Sequence, residues 1–341
     1  MRFDNVSILS VAHVDGPHRV TSAEIEDRLA AVMKRYWGRS DLLRGLSGIE
    51  ARRFFDPGTQ PSMVATQAAE IALERAARER NGFDRQAVGV LINTSVCRDF
   101  IEPSVASLVH SNLGLGPGCM SFDLGNACLA FMNAMAVAGN MIERGQVDYA
   151  LVVDGECARY VVEATLDRLA EVQDEQTLRE QFATLTLGSG AAAMVLGRAE
   201  GSDGHRFRGQ VNVAATQHNH LCRGQVDHMR TDTQGLLVAG IELAAQALEK
   251  AGEELGWKKE ELQQYVLHQV SRVHTERLAE RLDLDLDKVY AVYPEHGNVG
   301  PAAIPIVLSK SVEEGRIQPG DRVAMMGIGS GLNCTMAEVV W

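Results

Sequence analysis

The sequence predicts an α/β fold made of two similar halves, and three observations lead there. Strand-like apolar runs alternate with amphipathic helical stretches along the chain. The second half repeats the order of elements of the first. No low-complexity or Pro/Ser-rich linker divides the 341 residues, a length that accommodates two fused units, here 1–190 and 191–341.

In the first half, Thr21-Ser22-Ala23-Glu24 has the form of a capping box and starts a helix through Tyr36. Ser62 is expected to cap a second helix running to Glu79, stopped by Asn81-Gly82. Val88 to Asn93 reads as a buried strand, Cys128 to Glu143 as a helix ended at Gly145, and Tyr149 to Asp154 as the next strand. The second half echoes this layout. Tyr265 to His268 matches the first strand, Asn298 to Glu314 matches the Cys128 helix and ends at Gly315, and Arg322 to Gly327 parallels the strand at Tyr149. Cys128 and Asn298 therefore occupy corresponding points of two pseudo-repeats, which a duplicated unit brings together at its centre. Residues 158–187 break the pattern: Leu166, Leu169, Val172 and Leu178 stand among charged residues, as in a helical insertion over the core. Such an insertion is either a solvated excursion or a cap over substrate.

Composition narrows the function. An apolar fraction of 45% and a charged fraction of 23% are those of an ordinary globular protein. A formal charge of −12 argues against nucleic acid or an anionic membrane as main partner. The first residues lack the apolar core of a signal peptide, and no apolar stretch is long enough to span a membrane. Six scattered cysteines without CxxC pairs fit reduced thiols in a cytoplasm.

Three segments carry the chemistry: Gly125-Asn126-Ala127-Cys128-Leu129-Ala130-Phe131, Leu267-His268-Gln269, and Glu295-His296-Gly297-Asn298-Val299-Gly300-Pro301. A thiol at a helix start, a His at a strand end and an Asn in a glycine-flanked turn are the parts of a thioester-processing site. The thiolate attacks, while His and Asn donate hydrogen bonds to an oxygen that becomes anionic. The helix start is expected to stabilise the thiolate and lower its pKa.

These residues resemble the thiolase superfamily, and within it the ketoacyl-ACP synthase III branch with its Cys-His-Asn triad. Asn93-Thr94-Ser95-Val96-Cys97-Arg98-Asp99-Phe100-Ile101-Glu102-Pro103-Ser104, the Cys128 and Asn298 segments, Pro305 to Lys310, and the ending from Gly329 to Trp341 are similar to the OleA-type enzymes. Those bacterial enzymes join two fatty acyl chains head to head in long-chain olefin biosynthesis. The resemblance implies a duplicated five-layer αβαβα thiolase fold and an obligate homodimer. It also implies acyl-CoA as substrate, no metal or redox cofactor, and two apolar channels with a pantetheine channel. It assigns Cys128 as nucleophile, and the backbone amides of Cys128 and Gly331 as the oxyanion hole. His268 and Asn298 would hold the second thioester oxygen.

The second acyl-CoA must become a carbon nucleophile, and a plain acyl group has no CO₂ to lose, so a base must take its α-proton. Biosynthetic thiolases use a second Cys in the C-terminal glycine-rich turn. Ser330 stands there in this chain, and Cys334 lies beyond it in a strand-like run. The resemblance points instead to Glu102, reaching across the dimer. A decarboxylating ketoacyl-ACP synthase III or a pyrone-forming ketosynthase is the alternative activity, and a non-catalytic thiolase-fold subunit the alternative class. His218-Asn219-His220 is read as surface loop rather than a metal site, His296 as shaping its turn, and Arg98-Asp99 as an ion pair or dimer contact. Arg52 and Arg53 fit either CoA phosphates or a solvated pair.

Overall fold

A computed structural model of the chain describes residues 1–201 and 204–341. Among the described residues, nine strands form the main sheet: β1 (Val6–Asp15), β2 (Val88–Asn93), β3 (Met120–Asp123), β4 (Tyr149–Glu156), β5 (Gly190–Arg198), β6 (His205–Ala214), β7 (Gln264–Leu267), β8 (Arg322–Gly329) and β9 (Asn333–Val340). Their spatial order is β7-β8-β9-β6-β1-β5-β4-β2-β3. β2 runs parallel to β3 and β4, and β7 parallel to β8, while β5 and β9 pair antiparallel with their neighbours. The sheet passes from one half to the other where Ser7 and Ile8 of β1 meet Arg206 and His205 of β6. β5 pairs with β1 and β4 and so lies in the same half of the sheet as they do.

The helices that flank the sheet are α1 (Ser22–Trp37), α2 (Pro61–Glu79), α3 (Val105–Leu113), α4 (Ala130–Glu143), α5 (Arg159–Ala170), α6 (Glu175–Gln181), α7 (Thr233–Leu255), α8 (Arg272–Leu282) and α9 (Ala303–Glu313). The period-2 alternation of the strands sorts them into layers. On β2, Val90 and Ile92 pack against α4 and α9 while Leu91 turns to α2 and α3. On β8, Val323 and Met325 face the same two central helices, and Ala324 and Met326 face α7 and α8. The stack is thus α2/α3, first half-sheet, α4/α9, second half-sheet, α7/α8, the five-layer αβαβα arrangement of a thiolase fold.

The capping box at Thr21 is formed: its hydroxyl accepts the Glu24 N–H, and the Glu24 carboxylate accepts the Thr21 N–H. Ser62 is no cap. It lies inside α2, and its N–H and hydroxyl both donate to Asp99, so a loop carboxylate supplies what the helix start lacks. The insertion is helical, and α5 and α6 bury Val162, Leu166, Leu169 and Leu178 against Ile25, Leu29 and Met33 of α1.

Ile8→Ala empties a position buried between the half-sheets and is expected to lower stability by about 2–5 kcal/mol. Thr21→Ala removes one partly exposed cap and is expected to lower it by ~1 kcal/mol, with Thr21→Ser close to native. Urea denaturation of the three variants checks this ranking, and equal losses from Ile8→Ala and Thr21→Ala would contradict the layer assignment.

Candidate active site

Cys128 sits in a 3-10 turn, Ala127–Leu129, that feeds α4. The helix predicted to start at Cys128 starts two residues later. Ala127 holds a left-handed φ of 46°, a costly shape for a residue with a Cβ, directly before the thiol. Behind the turn, Asn126 Nδ2 donates to Asn133 Oδ1 at 2.6 Å, and Leu129 N–H to the Asn126 carbonyl at 3.1 Å.

The expectation of a depressed thiol pKa is not met. Burial, followed by the neighbouring Cys222, Glu156 and Asp154, pushes Cys128 up to about 12. Desolvation and nearby acidic groups outweigh the first-turn dipole, because both disfavour a thiolate.

His268 follows β7, and its N–H donates to the Met326 carbonyl of β8 at 2.8 Å. Burial and the nearby His274 push His268 down to about 3 against the opposing influence of Asn298, so the imidazole is neutral at physiological pH. Neither ring nitrogen completes a hydrogen bond within the described residues. A neutral ring with both nitrogens unused is poised for an external partner.

Asn298 precedes a 3-10 turn, Gly300–Ala302, and α9 starts only at Ala303. The predicted continuous helix from Asn298 is thus a fixed turn followed by a helix. Its N–H donates to Thr186 O at 2.9 Å and its carbonyl accepts Gly188 N–H at 2.9 Å, so the end of the insertion clamps it. Its Oδ1 accepts Gly300 N–H at 3.0 Å, which leaves the Nδ2 hydrogens free to donate. Gln269 braces the preceding turn by accepting Val292 and Tyr293 N–H.

The two pseudo-repeats do meet here. The Gly300–Ala302 turn packs on the Ala127–Leu129 turn. The end of β8 lies on the Ala127–Leu129 turn so closely that a Cβ at Gly329 would stand 3.1 Å from Leu129 Cγ and 3.3 Å from its nitrogen. That approach brings the β8–β9 turn, with Gly331 at φ 81°, to the Cys128 side.

Glu102 stands apart. It is exposed, on a loop whose tip shows Phe100 and Ile101 to solvent, the latter 93% exposed, and it makes no hydrogen bond or ion pair among the described residues. The flanks of this loop are fixed. Val96 and Cys97 N–H donate to Glu156, Asp99 binds Ser62, Arg98 lies 3.7 Å from Asp123, and Asp123 accepts Val105 and Ala106 N–H.

Arg52 is fully buried, donates to Val20 O, Ser22 Oγ and Leu185 O, and is no phosphate ligand. His296 lies 3.2 Å from both Asp15 Oδ1 and Val292 O, a bracing place. Cys334 is a buried thiol pushed up to about 12 by burial. No group of three or more metal-ligating side chains is present among the described residues. Glu156 carries no signal in the sequence, where the strand reads as ending at Asp154; β4 continues two residues further.

The layered fold and this cysteine turn define a condensing enzyme of the thiolase type, and the comparisons agree. Residues 122–212 match the family described as 3-oxoacyl-[acyl-carrier-protein (ACP)] synthase III, and residues 253–341 match its C-terminal counterpart. The chain is 51% identical to the acyl-CoA:acyl-CoA alkyltransferase of Xanthomonas campestris pv. campestris, with 100% of each covered. It is 33% identical to the protein of that name from Shewanella oneidensis, again with 100% of each covered. It is also 33% identical to the beta-ketoacyl-[acyl-carrier-protein] synthase III of Ruegeria sp., over 88% of this chain and 90% of that one. A crystal structure of cerulenin-bound Xanthomonas OleA superposes with a TM-score of 0.97 at 51% identity, covering 100% of this chain and 98% of that one. The chain belongs to the ketoacyl-ACP synthase III family of acyl-transferring condensing enzymes, in its acyl-CoA:acyl-CoA alkyltransferase (OleA) branch.

A thiol held near 12 has a thiolate fraction of about 10⁻⁴ at pH 8. Alkylation of Cys128 by iodoacetamide in the free enzyme is therefore expected to rise about tenfold per pH unit from pH 7 to 9 without levelling off. Peptide mapping after quenched labelling measures this, and a plateau near neutral pH would show a stabilised thiolate.

Proposed function

We propose that this chain condenses two long-chain fatty acyl-CoAs head to head without decarboxylation, in long-chain olefin biosynthesis, releasing a β-keto acid. The observation that carries this reading is the division of the chemistry. The Cys128, His268 and Asn298 elements share one buried site, while Glu102 stands on a fixed, exposed apolar loop away from it.

Cys128 takes the acyl group of the first acyl-CoA, its thiol proton leaving with CoA as CoASH. The Cys128 and Gly331 amides receive the oxyanion of this step. Glu102 then removes the α-proton of the second acyl-CoA, whose thioester oxygen is held by Asn298 Nδ2 and the neutral His268. The enolate carbon attacks the Cys128 thioester, the new C–C bond forms, and the C–S bond to Cys128 breaks, the released sulfur taking up the proton that Glu102 removed. The 2-alkyl-3-oxoacyl-CoA is hydrolysed to the β-keto acid. The sequence uses no metal or redox cofactor.

The dimer belongs to the same reading. β3 is a free sheet edge, with Met120 exposed on it, and the loop beside it shows Val96, Phe100 and Ile101. A second copy of the chain covers such an edge and brings Glu102 to the partner's site. Variants of the Xanthomonas enzyme substituted at single glutamate, cysteine and histidine positions have been solved. There the glutamate precedes the cysteine by 26 positions, the separation of Glu102 and Cys128 here, which supports the assignment. The histidine follows that cysteine by 142 positions, against 140 from Cys128 to His268. We place the reaction in the cytoplasm, in keeping with six free cysteines; no helix among the described residues is long and apolar enough to cross a membrane.

Asn298→Ala is expected to accept an acyl group on Cys128, seen by intact-protein mass spectrometry, while condensation falls by ~10²-fold or more. Equal loss of both steps would assign Asn298 to the nucleophile instead.

Glu102→Gln keeps shape and removes basicity. It is expected to acylate normally, to stop exchanging acyl-CoA α-protons with solvent deuterium, and to stop condensing. Mixed with Cys128→Ala subunits after confirmed exchange, it should regain activity, because one site of the heterodimer has both groups. A mixture that stays inactive overturns the cross-dimer assignment. Normal condensation by Glu102→Gln alone, or product formation only with a malonyl-carrier thioester, overturns the non-decarboxylating reaction.

A further inference from the structure

Two carboxylates beside the nucleophile have no part in the steps above. Asp154 and Glu156 lie two residues apart on β4, on the same face, and both are buried. No lysine, arginine or histidine influences either of them, and burial pushes both up, Glu156 to about 7. Two carboxylates this close in a dry site do not ionise together. Their hydrogen bonds divide the roles. Asp154 Oδ2 meets the Thr94 hydroxyl and its Oδ1 has no partner, whereas Glu156 accepts Val96 N–H at 2.6 Å and Cys97 N–H at 3.3 Å. Backbone N–H groups can only donate, so they favour the ionised form of Glu156 and leave the proton on Asp154.

Glu156 is also where three elements of the site converge. Its Oε1 and Oε2 hold the root of the loop that ends in Glu102. Its carboxyl carbon lies against the Asn298 turn, where a Cβ on Gly300 would be 3.6 Å away. Its charge is felt by the Cys128 thiol. A second tie reinforces the first: Ser95 Oγ accepts Gly155 N–H at 2.8 Å and donates to Asn93 Oδ1 at 2.7 Å. Beyond these ties and the Asp99–Ser62 contact, Phe100 to Pro103 are exposed.

We propose that Glu156 is a positioning residue: it fixes the root of the loop presenting Glu102 relative to the Cys128 and Asn298 turns of its own subunit. This rests on the reading that Glu102 is the base. When Glu156 is neutral, one of its oxygens carries a proton and opposes the N–H it should accept, and the root loosens. The groups facing Glu156 are Asp154 on its own strand, the Cys97 thiol on the loop, Cys157 beside it, and Cys128 across the site. All are neutral or acidic, so none compensates for lost charge.

The test uses Glu156→Gln in the full-length enzyme. Acylation of Cys128 in a single turnover and the KM for acyl-CoA are expected within about twofold of native, while kcat and α-proton exchange fall about tenfold or more. The rise of native kcat between about pH 6 and about pH 8 is expected to vanish in the variant. Should Glu156→Gln fold poorly, hydrogen exchange in the native enzyme gives the same decision. After correction for intrinsic rates, the segment from Val96 to Phe100 is expected to be more protected at pH 8 than at pH 5.5. Native-like exchange and condensation in Glu156→Gln, an equal loss of acylation, or protection independent of pH would each overturn the proposal. Normal condensation by Glu102→Gln removes the base assignment whatever Glu156 does. An inactive Glu102→Gln beside a native-like Glu156→Gln removes only the positioning role.

Discussion

The site depends on one packing constraint, the burial of α4 and α9 between the two half-sheets. Phe131, Met132, Met135 and Ile142 of α4 and Ile304, Ile306, Val307 and Leu308 of α9 have no face left for water. Both helices must therefore lie in the middle layer, and their starts can only meet within it. The turns that lead into them carry Cys128 and Asn298. The glycine-lined end of β8 closes the third side, since any side chain at Gly329 would displace Leu129. Apolar burial thus supplies the energy that sets the geometry, and the polar residues of the site are placed by it rather than holding it together.

The same burial sets the electrostatics, and it reverses the intuitive picture of a cysteine enzyme. A helix start favours a thiolate by a fraction of a kcal/mol to about 1 kcal/mol when exposed. Removing the thiol from water, beside acidic groups, outweighs that, so the resting site holds a neutral thiol and a neutral imidazole. Such a site does not waste its nucleophile on solvent or small electrophiles. The hydrogen-bonding capacity left open there is that of the Asn298 Nδ2 hydrogens and of the His268 ring, whose nitrogens have no partner among the described residues.

Much of this was legible in the sequence, for identifiable reasons. Capping and period signals are local, so the helix from Thr21 and the strand Val88–Asn93 were read correctly. Cys128, His268 and Asn298 stand out in the sequence because each sits at the edge of an element. Tertiary contacts decided the rest. Ser62 looks like a cap in sequence, but Asp99 caps that helix from 37 positions away. The strand at Tyr149 reads in sequence as ending at Asp154, and it continues through a second buried carboxylate, Glu156. The direction of the Cys128 pKa was misread for the same reason: a sequence shows the helix start and hides the water-free surroundings.

Glu156 is the point where these strands of reasoning meet. A buried carboxylate without a cation is costly, and replacing it with an apolar residue would relieve that cost. Its two backbone N–H donors, Val96 and Cys97, lie at the root of the loop that carries Glu102. An apolar side chain would leave both donors unpaired, and a cation would bind the carboxylate in their place. A carboxylate balanced near neutrality is the group that can hold two N–H donors while adding no fixed cation beside Cys128. On this argument the acidity of the Cys128 surroundings is no incidental penalty on the thiol. It accompanies the ties that hold the root of the Glu102 loop to the floor of the site, while burial remains the larger reason the thiol rests neutral.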